Sequence, residues 1–135
     1  MDETWYSKIE GNVITQVQYM LQSRDKAPYP NLVITSVNQT SKPATLPCMY
    51  IHELQPVEAG QDLDNVSVNA VLHTMEAQVW TDKGQSYCKD ILTSTITELK
   101  RMRYNIVAFP TIQTNNGLSW GAIRARRMIG AGDTL

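Results

Sequence analysis

Cys48, His52, His73 and Cys88 are the thiols and imidazoles of this chain, and a tetrahedral metal site needs three or four such ligands to converge. Cys48 and His52 share one face of a predicted strand but sit about 13 Å apart at ~3.3 Å per residue, too far for one ion. His73, on a neighbouring predicted strand, reaches at most one of them. Cys88 stands near the start of a predicted helix, where the dipole lowers a thiol pKa. It also falls on the apolar stripe of that helix, where a free cysteine acts as a small hydrophobe, and no histidine is placed beside it as a base. These residues predict no catalytic, metal or cofactor site, and both cysteines are expected as reduced thiols.

Two short motifs fail on their context. Asp62-Leu63-Asp64-Asn65 hints at calcium but lacks the glycine and the closing glutamate of an EF-hand loop. Gly130-Ala131-Gly132 has the look of a phosphate loop, yet no helix follows to aim its N-terminus at an anion. The uneven charge is Arg124, Arg126 and Arg127. On a strand the first two share a face, and Arg127 points away with Ile123, Ala125 and Ile129. Such cations protect an exposed strand from edge-to-edge pairing. They also suit a subunit boundary, where Glu58, Asp62 and Asp64 of a neighbouring copy would accept them.

The element that positions most of these groups is the run over residues 69–81. Val71, His73, Met75, Ala77 and Val79 alternate with Leu72, Thr74, Glu76, Gln78 and Trp80, the period of a strand covered mainly on one face. Asp82-Lys83-Gly84 supplies a turn, and Ser86 is the expected N-cap of a helix whose Tyr87, Ile91, Leu92, Thr95, Ile96, Leu99 and Met102 form one stripe. Upstream, Trp5, Ile9, Val13, Val17 and Leu21 recur every fourth residue and predict a first helix, with a bend or close contact expected at Gly11. Residues 32–37 and 49–54 read as short strands. Residues 38–47 and 55–65 read as exposed polar loops.

After the second helix, Asn105 is the expected left-handed cap. Residues 106–112 read as a strand that Pro110 bulges or sends to an edge. Asn115-Asn116-Gly117 is a hairpin turn signal. A last strand then covers residues 118–129 and a flexible tail residues 130–135. The predicted fold is α+β, one domain over residues 1–135, with a mostly antiparallel sheet of about five strands and two helices on one face. The predicted core holds Ile9, Val13, Val17, Ile51, Met75, Val79, Leu92, Ile96 and Leu99.

The totals fit a folded domain. Apolar residues make up 42% of the chain and charged residues 19%, and the net charge is −1, so bulk charge predicts no nucleic-acid partner. The acidic start, Met1-Asp2-Glu3-Thr4-Trp5, lacks the basic segment and apolar core of a signal peptide, and no apolar run approaches the roughly twenty residues that span a bilayer. The expected setting is a cytoplasm, with no membrane partner.

The helix over residues 2–21, the strand Cys48-Met49-Tyr50-Ile51-His52-Glu53-Leu54, the long strand into Trp80-Thr81-Asp82, the helix over 86–103 and the closing hairpin through Trp120-Gly121-Ala122-Ile123-Arg124-Ala125-Arg126 together resemble the tail terminator, or tail completion, proteins of long-tailed bacteriophages. The likeness covers nearly the whole chain and lies in element order, size and character. It implies a non-enzymatic virion subunit without cofactors. Copies would form a homo-oligomeric ring, expected as a hexamer, that ends tail-tube polymerisation and docks the head. The implied partners are the tail tube protein and a head-completion or neck protein, with DNA passing through the ring unread. A neck or head-tail connector protein is the nearest alternative. A small nucleic-acid-binding α+β domain is a further one, with Trp120 beside Arg124 and Arg126 as its candidate surface.

Overall fold

A computed structural model of the chain describes residues 8–36, 45–61 and 68–130. In chain order its elements are helix α1 (Ile9–Gln18), a π-helical turn (Tyr19–Ser23), strands β1 (Val33–Thr35), β2 (Cys48–Gln61) and β3 (Val68–Thr81), helix α2 (Gln85–Arg101), and strands β4 (Asn105–Asn115) and β5 (Leu118–Gly130). The fold is α+β. Five strands make one mixed sheet in the order β1-β2-β3-β5-β4, with β1 parallel to β2 and the other neighbours antiparallel.

The alternation in β3 divides the sheet. Val71, His73, Met75, Ala77 and Val79 are buried beneath the helices, joined by Met49 and Ile51 of β2 and Ile123, Ala125 and Ile129 of β5. Helix α2 brings Cys88, Ile91, Leu92, Thr95, Ile96 and Leu99 to this core, and α1 brings Ile9, Val13 and Val17. Every predicted core residue is buried. At Gly121 of β5 an added Cβ would lie 2.6 Å from Ile112 Cδ1 and 3.0 Å from the Thr111 carbonyl, so a larger residue there would have to displace the Ile112 side chain and press on the neighbouring strand.

Several boundaries differ from the sequence reading. Residues 55–61 continue β2 and do not loop out; register shifts against β3 between Leu54 and Val57, and again around Gly60, absorb the proline and glycine that resemble turn signals. Residues 37–44, 62–67 and 131–135, which take in parts of both predicted loops and of the predicted tail, lie outside the described residues, while Gly130 still belongs to β5. β5 lies near an edge but is not itself one: it is second in from β4, because the Asn116-Gly117 hairpin folds β4 outside it. Asn116 and Gly117 take the positive φ values, 52° and 77°, that such a turn needs. Register shifts flank Pro110 in edge strand β4, as the proline predicts.

The helix ends differ too. Gly84, with φ of 103°, is the N-cap of α2, no side chain caps it, and Ser86 is already inside the helix. At the other end the left-handed residue is Arg103, φ 69°, not Asn105, which begins β4. Tyr104 N–H donates to Leu99 O (3.0 Å) and Arg103 N–H to Lys100 O (2.9 Å), the paired bonds of a Schellman ending. Nothing crowds Gly11, whose side is open; the irregular turn comes later, at Tyr19–Ser23.

Candidate functional site

Both helices cover one face of the sheet; among the described residues the other face carries no helix, and Cys48, Tyr50 and Glu76 on it are nonetheless buried. Register sets Cys48, Tyr50 and His52 of β2 opposite Trp80, Gln78 and Glu76 of β3, and these in turn opposite Trp120, Ala122 and Arg124 of β5. Glu76 is the hub. Its Oε1 accepts from His52 Nε2 (3.0 Å) and Gln78 Nε2 (2.9 Å), and its Oε2 accepts from Arg124 Nε (2.7 Å). Burial alone would raise this carboxyl's pKa, but the donors Arg124, His52 and Gln78 and the Arg124 charge outweigh it and hold it below the usual value. Tyr50 stacks on His52 at 4.2 Å with the rings nearly parallel. Burial, then the charges of Glu76 and Glu10, push its phenol pKa up.

Beside this cluster runs an open groove of about 400 Å³, walled by Trp80, Trp120 and Phe109 and floored in part by Gln78 and Ala122. Phe109 is 65% exposed, a large apolar side chain held out at the bulge of edge strand β4. Arg124 pairs in register with Ala108, which also lines the groove, and its side chain is half exposed.

The covered face holds a second polar group. His73 is fully buried, with Nε2 2.7 Å from Glu53 Oε2 and Nδ1 2.7 Å from Tyr104 Oη. A carboxylate accepts only, so Nε2 carries the proton and Nδ1 accepts from the tyrosine. Burial lowers the His73 pKa, opposed by the hydrogen bond and charge of Glu53 and by the charge of Glu10, and burial holds the Tyr104 phenol well above its ordinary value. Where β1 has ended, Glu53 N–H donates to Glu10 Oε2 of α1 at 2.8 Å. This network ties α1, β2, β3 and the end of α2 together. It has the members of a proton relay, but His73 is 0% exposed and both of its ring nitrogens are hydrogen-bonded, the geometry of a satisfied buried core.

The sequence-predicted residues are scattered by this arrangement. Arg124 and Arg126 do share the open face, but Arg124 is bound by Glu76 of its own chain. Arg127 is 7% exposed on the covered face and donates to the Met102 carbonyl at 2.9 Å, so it does not join the predicted interface set. Glu58 lies in β2, whereas Asp62 and Asp64 lie outside the described residues. His52 and His73 point to opposite faces, and Cys88 donates to Val79 O on the covered side while Cys48 stands on the other. Among the described residues no three of His, Cys, Asp and Glu come together to hold a metal ion, and no helix is long and apolar enough to cross a membrane.

Glu76, Glu53 and Tyr104 are absent from the sequence-predicted set. The alternation of β3 puts Glu76 and Trp80 on one face, a legible signal that the face carries more than solvent. Comparison with models of known protein families gives no match, and neither does comparison with curated protein sequences.

Proposed function

We propose that this chain is a structural subunit that works by assembly: copies close into a ring on the end of a phage tail tube, stop its polymerisation and present the surface to which the head docks. One observation carries the reading. The sheet has a helix-covered face and, among the described residues, a helix-free face on which Trp80, Trp120 and the exposed Phe109 adjoin the Glu76 cluster, the mixture of aromatic and polar groups that protein interfaces use.

The sheet edges support it further. Among the described residues, β2 is paired with β1 from Cys48 to Tyr50, and on the far side β4 is the edge strand. A ring needs a heterologous contact, one surface of a copy meeting a different surface of the next, and a sheet with two dissimilar edges offers that pair. The resemblance to tail terminator proteins across the chain supplies the rest: a ring, expected as a hexamer, with the tube protein below, a head-completion or neck protein above, DNA passing through, and residence in the virion after assembly in the host cytoplasm. Arg126 is exposed and shares a face with Arg124, which supports it as the arginine that meets a carboxylate of the next copy.

Light scattering of the purified protein, with negative-stain images, tests this. Rings on their own or on added tail tubes are the expected result. A protein that stays monomeric with tubes present would refute it.

A further inference from the structure

We propose that the helix-free face binds single-stranded nucleic acid, with a base lying in the groove between Trp80, Trp120 and Phe109 and the adjoining phosphates carried to Arg124 and Arg126. This does not rest on ring formation, since all of these residues belong to one chain.

The shape and chemistry of the groove select the occupant. Its volume of about 400 Å³ lies within the ~300–1,000 Å³ of small-molecule pockets in general. Its apolar walls are aromatic, and aromatic faces stack on any base without reading its sequence. Trp80 and Trp120 are directly opposed in register, and the bulge in β4 holds Phe109 65% exposed. Thr111 and Gln113 line the same groove and supply polar groups for a base edge.

Charge points the same way. Arg124 and Arg126 share the face of Trp120 on β5, four and six residues along the strand, with Ala122 between, or about 13 and 20 Å away at ~3.3 Å per residue. Glu76 engages Arg124 through Nε, which leaves the outer guanidinium nitrogens for a second acceptor, and Arg126 is exposed. Two guanidiniums against one carboxylate leave a single positive charge beside aromatic walls.

Binding by so few cations is weak and salt-dependent: Kd on the order of 10⁻⁴ M at low salt, with log K falling against log salt at a slope of about −0.7 for one neutralised phosphate. Tryptophan fluorescence of the full chain, titrated with oligothymidylate over a salt series, tests it. The expected result is saturable quenching with that slope, and weaker binding of a duplex of equal length, whose bases are already stacked. Phe109→Ser changes an exposed side chain and keeps the circular dichroism spectrum, yet should lower affinity roughly five- to tenfold for one lost stacking partner. Arg126→Glu should weaken binding and flatten the salt slope. The proposal is overturned by an absence of saturable quenching, by equal affinity of the folded variants and the parent, or by equal binding of duplex. It is also overturned if Phe109→Ser alters the mass in light scattering while oligothymidylate affinity stays unchanged, which would give the groove to a second copy.

Discussion

Glu10 Oε2 of α1 lies 2.8 Å from the backbone nitrogen of Glu53 in β2, so a side chain that reads as part of the polar surface of an amphipathic helix closes an edge hydrogen bond of the sheet. Position 10 therefore carries structural weight that the helical pattern assigns to none of the polar positions. The bond also sits next to the buried His73, which Glu53 holds from its side chain.

Leu99→Ala and Glu10→Ala should be unequal but both measurable. Leu99 is 1% exposed in the core, and its truncation should cost about 2–5 kcal/mol. Expected from the helix pattern alone to cost little, Glu10→Ala instead removes the acceptor of a half-buried N–H and should cost about 1 kcal/mol. Denaturant midpoints of the two variants measure this. A Glu10→Ala midpoint equal to that of the parent would mean that water replaces the carboxylate at no loss.

The two polar groups should give the stability curve two separate acid limbs. His73 has a folded pKa below its ordinary 6.5, chiefly through burial, so the unfolded chain takes up the proton more readily. Stability is then full above about pH 6.5 and declines as pH falls from there through the folded pKa. Glu76 has a folded pKa below its ordinary 4.5; its contribution is present above about pH 4.5 and is lost as pH falls through the folded pKa. Melting temperatures over this range should lose the upper limb in His73→Gln and the lower limb in Glu76→Gln. Curves parallel to the parent in both variants would count against these assignments.

Both thiols should resist alkylation until the protein unfolds. Cys88 is buried, and burial pushes its thiol up to about 11; burial also raises Cys48, so little thiolate exists at neutral pH. The two are free and stand on opposite faces of the sheet. Intact mass after iodoacetamide should show an unmodified native chain and two additions in denaturant. Rapid native labelling would contradict the burial, and a mass lower by two hydrogens would reveal a disulfide.

What the sequence makes legible depends on the range of the interaction. Val71 to Val79 alternate, and Asn116-Gly117 has the turn chemistry of a hairpin; both signals are local, and both elements form as they read. The pairing of Glu76 with Arg124 requires the register of β3 on β5, set by residues far apart in the chain. Tyr104 is placed by a Schellman ending whose left-handed residue is an arginine, where the rule favours glycine or asparagine. Pro56 and Gly60 resemble turn formers, and only pairing with β3 reveals them as irregularities within β2. The candidate surface was therefore half legible: Trp80, Trp120, Arg124 and Arg126 from alternation, but Glu76 as the hub and Phe109 as the wall only from the sheet.

The last prediction separates the three arginines of β5. Arg124→Glu would set a carboxylate against Glu76, which now accepts from Arg124 at 2.7 Å, so this change should lower the stability of the single chain as well as any assembly. Arg127 is buried and bonded to the end of α2; its substitution should act on folding alone. Arg126 is exposed and its backbone is held in the middle of the sheet between β3 and β4, so Arg126→Glu should leave the circular dichroism and melting temperature close to the parent. In the ring reading, the same change places like charges against carboxylates such as Glu58, Asp62 and Asp64 of the next copy. Rim pairs of this kind are worth about 0–1 kcal/mol each and are screened by salt, but closure repeats the contact at every boundary, so the losses accumulate. Light scattering should therefore show Arg126→Glu rings dissociating at lower dilution than parent rings in low salt, with the difference shrinking in high salt. If Arg126→Glu rings matched the parent at both salts, the arginine would have no part in the boundary, and ring contacts would have to be sought at the strand edges of β2 and β4 instead.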